Sequence, residues 1–100
     1  MDAQPSRLSE ARVPTAVPRR HLAQLCKHFQ HKLPVTLAED EGRIEFPGGT
    51  CALEAASGTL VLRVAAADDA GLTRLEDVVA RHLARFAFRD KPEIRWTRAA

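Results

Sequence analysis

The chain lacks several features that define whole classes of protein. Its 100 residues contain two cysteines, one tryptophan and no tyrosine. Cys26 and Cys51 are too few and too far apart for a disulfide scaffold or a zinc finger. No apolar run approaches the ~20 residues of a membrane helix, and residues 1–5 have neither the basic start nor the apolar stretch of a secretory signal. We therefore expect a cytoplasmic protein without membrane attachment.

An excess of charge and a phosphate-binding loop are also missing. Fifteen Lys and Arg against 13 Asp and Glu give a net charge of +2, too small for the whole molecule to steer a polyanion, so any basic patch must be local. Gly48 and Gly49 lie in a predicted turn without a helix after them, which excludes a Walker loop or a dinucleotide fingerprint. No strand-turn-helix nucleophile motif occurs either. We expect no cofactor and no resident metal.

What is present is an ordinary globular composition, 45% hydrophobic and 28% charged. We expect a disordered N-terminus over residues 1–8 and a single domain over 9–98. Twofold and 3.6-residue periodicities predict strands at 10–13, 35–37, 43–46, 50–55, 60–64 and 93–97, and helices at 17–32 and 68–86.

This order, β-α-β-β-β-β-α-β, predicts an α+β fold in which two helices pack on one face of an antiparallel sheet. It resembles the TATA-binding-protein-like architecture, which hosts unrelated functions and so implies none. Thr15 is a plausible cap for the first helix and Pro18 fits its first turn, while the residue before Pro34 is disfavoured as helix.

The first predicted helix has one apolar and one basic face. A helical wheel places Leu22, Leu25, Cys26 and Phe29 on the apolar arc, and Arg20, Gln24, Lys27, His28 and His31 opposite them, with His21 and Lys32 at the border. Cys26 and His28 point about 200° apart and cannot share a metal ion. His28 and His31 supply two ligands at most, so a metal site there would need a carboxylate from elsewhere or a second subunit.

Two thiols and one histidine are predicted at the core. Cys26 and Cys51 project inward, either as small buried hydrophobes or as a redox pair. His82, on the flank of the second helix's apolar arc, is either a hydrogen-bonded residue at the edge of the core or the neighbour of a thiol.

Cations concentrate on both helices. They are Arg19, Arg20, Lys27 and Lys32 on the first, and Arg81, Arg85 and Arg89 on the second. They could line a groove that holds an anion or an acidic partner, or lie over the surface and pair with Glu41, Glu76 or Asp77. The outward sheet positions carry Glu45 and Glu54 and no aromatic residue, so nucleic-acid binding is not expected.

Three separated blocks of sequence agree with a known family. Residues 25–32, the Gly42-Arg-Ile-Glu segment before Cys51, and residues 82–89 together resemble the bacterial domain of unknown function 2218. The resemblance implies a stand-alone bacterial domain without an established activity and a link to iron and siderophore genes. The positions that match the family's motifs have no known role: they are Cys26, Lys27, His28, His31, Lys32, Cys51, His82, Arg85 and Arg89.

The prediction is a small binding or accessory protein, with homodimer formation left open. It would hold an anionic small molecule or an acidic protein partner through Arg20, Lys27, His28, His31, Lys32, Arg85 and Arg89. The alternative is a metal- or thiol-dependent enzyme or sensor that uses Cys26, Cys51, His82, His28 and His31.

Overall fold

Six strands and two helices make up the protein in the computed structural model, which describes residues 7–87 and 92–99. The elements in chain order are β1 (Arg7–Pro14), α1 (Pro18–Phe29), β2 (Val35–Leu37), β3 (Glu41–Phe46), β4 (Gly49–Ala56), β5 (Thr59–Ala66), α2 (Asp69–Phe86) and β6 (Thr97–Arg98). The strands form one sheet with the order β2-β3-β4-β5-β1-β6, and every pairing is antiparallel. The predicted α+β class and element order are confirmed.

Local turn chemistry explains the run of strands from β2 to β5. Gly48 (φ 86°) and Gly58 (φ 68°) adopt the left-handed backbone that tight hairpin turns need, between β3 and β4 and between β4 and β5. β1 then pairs with β5 rather than with its successor in sequence. The N-terminal strand therefore extends the sheet at the β5 edge of the meander.

The first helix is shorter than predicted at its C-terminus. It ends at Phe29, where the backbone N–H groups of Lys32 and Leu33 both donate to the Phe29 carbonyl, at 3.0 and 2.9 Å. This tight closure comes just before Pro34, whose predecessor avoids the helical region. His31 and Lys32 therefore lie in the turn after α1 and not on the helix.

The two helix starts differ. At α1 the cap position is Val17, which makes no side-chain cap hydrogen bond, so the predicted cap at Thr15 is wrong; Thr15 Oγ1 instead accepts from the Val17 N–H at 3.1 Å. At α2 the Asp68 carboxylate accepts from the Gly71 N–H at 2.8 Å, as the sequence predicts.

The core lies between the helices and the inner sheet face. Leu22, Leu25 and Cys26 of α1 are fully buried against it, as is Cys51 of β4. A Cβ at Gly42 of β3 would lie 2.5 Å from Cys26 Sγ. The absence of a side chain at this position lets α1 lie close to the sheet.

The two ends of the described chain differ from expectation. The last strand is β6, Thr97–Arg98, and not residues 93–97, although Ile94 and Trp96 still pack against the core. Arg98 of β6 is linked to α2, since its Nη2 donates a hydrogen bond to Glu76 Oε1 at 2.9 Å. At the other end β1 begins at Arg7, so residues 7 and 8, which we placed outside the domain, belong to the sheet. Neither helix is long and apolar enough to cross a bilayer.

Candidate functional site

Two imidazoles from different helices meet at one end of the helical layer. His28 lies in the last turn of α1, and His82 lies one turn before the end of α2. Their ring centroids are 4.9 Å apart and their planes are inclined by 45°. The sequence interpretation grouped His28 with His31 and His82 with the thiols, so this contact was missed.

Phenylalanine side chains pack against the two imidazoles. The His28 ring packs edge-on against Phe29 at 5.1 Å and against Phe86 at 5.3 Å between centroids. Phe29 also contacts the His82 ring at 4.9 Å and Phe46 of β3 at 5.1 Å. The phenyl rings are half-buried and pack against the core, so they anchor the imidazoles to the rigid part of the domain.

The tautomer of neutral His82 is fixed by its own helix. Its Nδ1 lies 2.7 Å from the carbonyl oxygen of Val78, one turn earlier. A carbonyl can only accept a hydrogen bond, so Nδ1 carries the hydrogen. In the neutral ring, Nε2 is therefore the nitrogen with the available lone pair.

The surroundings of His28 are cationic. Its pKa is lowered from the ordinary value of 6.5, first by loss of hydration and then by the nearby positive charges of His82, Arg85, Lys32 and His31. Among the residues that the structure describes, no carboxylate shifts it. We call these five residues, His28, His31, Lys32, His82 and Arg85, the imidazole cluster.

The predicted cations fall into two groups. Arg19 pairs with Asp40, at 2.5 Å from Nε to Oδ1, and Arg81 pairs with Asp77 at 2.9 Å, so their charges are offset locally. Lys27, Lys32 and Arg85 are exposed, and within residues 7–87 and 92–99 none of them forms an ion pair.

Three predicted site residues remain, Arg20, Lys27 and Arg89. Arg20 lies in the first turn of α1, roughly 12 Å along the helix from His28 at 1.5 Å per residue. Arg89 falls outside the described residues. Lys27 neighbours His28 in sequence and remains exposed beside the cluster.

Both cysteines project into the core, as predicted. They are free thiols with no exposed surface. Burial raises the pKa of Cys26 to about 11, and burial together with the Cys26 thiol raises the pKa of Cys51 further. Both thiols are therefore protonated and shielded at neutral pH, which is unfavourable for nucleophilic or redox chemistry. His21, placed at the border of the helix faces, is also buried.

A larger group of metal ligands does not form in the part of the chain that the structure describes. Among those residues, no three or more His, Cys, Asp and Glu side chains come together in a manner suited to a metal ion. The imidazoles of His28 and His82 do contact each other, but they are two ligands and not three.

The open face of the sheet carries a groove of about 460 Å³. Small side chains, Thr50, Ala52 and Ala65, belong to its lining, with Arg43 and Arg63. Arg63 donates to Glu10 at 3.0 Å and to Glu54 at 3.3 Å. None of the predicted site residues that the structure describes lines this groove.

The fold and the cluster together define a small α+β domain with an exposed cationic imidazole surface over a solid core. A family model described as an uncharacterized protein conserved in bacteria, domain of unknown function 2218, matches residues 10–97. The chain belongs to this family, which confirms the resemblance found in the sequence.

The structural comparison gives the same fold. The chain is similar to the NMR structure of PA4090 from Pseudomonas aeruginosa, with 33% sequence identity and a TM-score of 0.77 over 90% of this chain and 94% of that one. No curated protein matches the sequence.

Proposed function

We propose that the protein is a non-enzymatic binding or accessory module that holds an anionic ligand on the imidazole cluster. The observation that carries this proposal is the electrostatic environment of His28, in which every charge of a described residue that shifts the pKa of His28 is positive. An anion placed there would gain attraction from each of these groups without competing with a carboxylate of the described residues.

The helix dipoles offset only part of this positive charge. The C-terminal ends of α1 and α2 lie near the cluster, and each is equivalent to about −0.5 of an elementary charge. Lys27, Lys32 and Arg85 bring three formal positive charges to the same end of the layer. Counting the described residues alone, about two positive charges remain for a ligand to neutralise before any histidine is protonated.

Arg85 and Lys32 would bind an anion in different ways. The Arg85 guanidinium offers a planar fork of donors for a carboxylate or phosphate, whereas the Lys32 ammonium acts as a compact point charge. The half-buried Phe29 and Phe86 rings provide an apolar floor beside them. A small oxyanion-bearing ligand fits this combination, and a carboxylate-rich siderophore would be one such molecule.

Self-association through this surface is unfavourable. A symmetric dimer interface built on the cluster would place the cations of one copy against those of the other. A homodimer would therefore use a different surface and leave the cluster free.

The test is a titration with inorganic pyrophosphate and with citrate, followed by amide and imidazole NMR shifts. We expect both anions to perturb His28 and Arg85 resonances. The double variant Lys32→Gln/Arg85→Gln should bind at least about tenfold more weakly, because two charge-assisted contacts are lost. The matched control Arg20→Gln/Arg74→Gln removes the same charge from exposed positions outside the cluster.

Equal weakening by the two double variants would show a non-specific charge effect and contradict the proposal. If small anions fail to bind while an acidic protein binds through the same residues, the ligand is a protein partner instead. The alternative of thiol chemistry has little physical support, since both thiols are buried and have raised pKa values.

A further inference from the structure

We propose that the groove on the open face of the sheet binds a monocarboxylate with an apolar tail, such as a medium-chain fatty acid. The carboxylate would contact the Arg43 guanidinium, and the tail would lie over small side chains toward Leu8. This site lies on the sheet and not on the helical layer. The inference therefore goes beyond anion binding at the imidazole cluster and does not depend on it.

Three arginines of the described chain line the groove, and two of them are already paired. Arg63 donates to Glu10 at 3.0 Å, and Arg98 donates to Glu76 at 2.9 Å. Arg43 is exposed on β3, and within residues 7–87 and 92–99 it forms no ion pair and donates no side-chain hydrogen bond. A guanidinium without a partner is suited to bind a carboxylate through two parallel hydrogen bonds.

The charge of the lining fits a ligand with a single negative charge. Among the described residues, Glu10 is the one carboxylate that lines the groove, and both Arg63 and Arg12 donate to it. Glu45 lies two residues from Arg43 on the same face of β3 but does not belong to the lining. With the ion-pair partners counted, the charge of Arg43 is the one left for a ligand, which favours a monoanion over a polyanion such as pyrophosphate.

Small side chains form the floor of the groove next to Arg43. Ala52 of β4 lies opposite Arg43 in the strand register, and Thr50, on the same face of β4, lies opposite Ala65 of β5. Ala65 in turn lies opposite Leu8 of β1. Because β3, β4, β5 and β1 are neighbours in the sheet and strands lie about 4.8 Å apart, the floor extends roughly 14 Å from Arg43 to Leu8. An extended tail of medium length fits this distance.

Leu8 gives the groove an apolar end. It is 50% exposed among the described residues, although large apolar side chains are usually buried. A ligand tail that covered Leu8 would remove apolar surface from water, which is favourable. The groove volume of about 460 Å³ lies in the range of about 300–1,000 Å³ that is typical of small-molecule sites.

The experiment is a titration of the wild type with octanoate below its micelle-forming concentration, followed by amide and methyl NMR shifts. We expect the resonances of Leu8, Ala52 and Ala65 to shift. Butyrate keeps the carboxylate but shortens the tail, and octanol keeps the tail but has no charge. Each should bind at least about fivefold more weakly than octanoate, because each lacks one of the two contacts.

Two variants separate the carboxylate contact from the floor. Arg43→Gln should weaken octanoate binding by at least about fivefold, whereas Arg74→Gln removes an exposed charge from α2 and should leave it unchanged. Ala52→Leu fills the floor and should weaken binding by a similar factor. Its matched control, Ala56→Leu, adds the same side chain to the same face of β4 outside the groove. All four positions face solvent at least in part, and amide spectra check that the variants fold.

Absence of octanoate binding overturns the inference, as does binding that Arg43→Gln or Ala52→Leu leaves unchanged. A loss in Lys32→Gln/Arg85→Gln without a loss in Arg43→Gln would place the fatty acid on the imidazole cluster and also overturn it. Groove resonances that shift on dilution of the protein, without octanoate binding, would identify the face as an interface between copies and contradict the proposal. Pyrophosphate has no apolar tail, so its titration tests the cluster separately and either proposal can fail while the other stands.

Discussion

The open face of the sheet and the imidazole cluster use arginine in opposite ways. On the sheet, Arg63 is held between Glu10 at 3.0 Å and Glu54 at 3.3 Å, and Arg12 reaches Glu10 at 2.8 Å. In the cluster, Arg85 lies among positive groups and forms no ion pair with any residue the structure describes. The charges of Arg12 and Arg63 are thus neutralised within the fold, whereas the charge of Arg85 is available for the anion that we propose as the ligand.

Charge reversal should separate the two regions most strongly. Arg85→Glu places a carboxylate inside the cluster, and like-charge contact with an anion costs several kcal/mol. We expect pyrophosphate binding to weaken by on the order of a hundredfold or more. Arg63→Glu on the sheet should leave the affinity unchanged, as measured by the same NMR titration. A comparable loss in both variants would remove the distinction between the two surfaces.

A substitution that displaces α1, the helix that carries His28, is the next test of the cluster. Gly42→Ala puts a Cβ 2.5 Å from Cys26 Sγ, and overpacking of this kind costs about 1–3 kcal/mol of unfolding free energy. We expect a lower midpoint in chemical denaturation and an altered contact between His28 and His82.

A second substitution tests the cause of that loss. Removing the sulfur in Gly42→Ala/Cys26→Ala relieves the clash, so the double variant should be more stable than the two single losses added together. Strict additivity would show that the close contact between Gly42 and Cys26 does not limit the packing of α1.

Titration of His28 gives a smaller effect with a definite sign. Protonation is disfavoured in the folded protein, since its pKa lies below 6.5. The unfolded chain therefore binds this proton at higher pH, and the contribution of His28 to stability is lost as pH falls from about 6.5 through the folded-state pKa. Anion binding should change in the opposite sense and tighten over the same pH range.

The cause of the lowered pKa can be checked in one variant. Arg85→Gln removes one of the positive charges that disfavour protonation, so the pKa of His28 should rise, as followed by its imidazole shifts against pH. Arg63→Gln serves as the control on the sheet face. A pKa of His28 that is unchanged in Arg85→Gln would place Arg85 outside the cluster.

The smallest effect is expected from the paired charges of the sheet. Glu10→Gln removes the carboxylate that Arg12 and Arg63 share, and Arg63 lowers the pKa of Glu10 through its hydrogen bond. Exposed ion pairs contribute about 0–1 kcal/mol, so the denaturation midpoint should change little and anion binding not at all. A large loss of stability would mean that the ion pairs of Glu10 make a major contribution to the free energy of unfolding.

Local periodicity carries most of the fold in this chain. The alternation that defines β3 to β5, the Asp68 cap of α2 and the glycine turns are short-range features, and each predicted its element correctly. The errors lie where long-range packing decides. Residues 93–96 alternate like a strand, yet Ile94 and Trp96 are only half-buried against the core, and strand pairing starts at Thr97.

The cluster was only partly visible in the sequence. His28, Lys32 and Arg85 were identified as cations or imidazoles of a helix surface, but contact between His28 and His82 depends on how two helices distant in sequence cross. One signal was available: each apolar arc ends in a phenylalanine, Phe29 and Phe86, near a histidine. Those two ends meet in the structure.

The most direct measurement compares pyrophosphate affinity in three proteins at one pH and salt concentration. They are the wild type, Lys32→Gln/Arg85→Gln in the cluster, and Arg12→Gln/Arg63→Gln on the sheet, and the two variants lose the same charge. A loss of at least about tenfold confined to the cluster variant is the predicted result. Equal affinities in the two variants would contradict the claim that unpaired cations beside the imidazoles form the binding site.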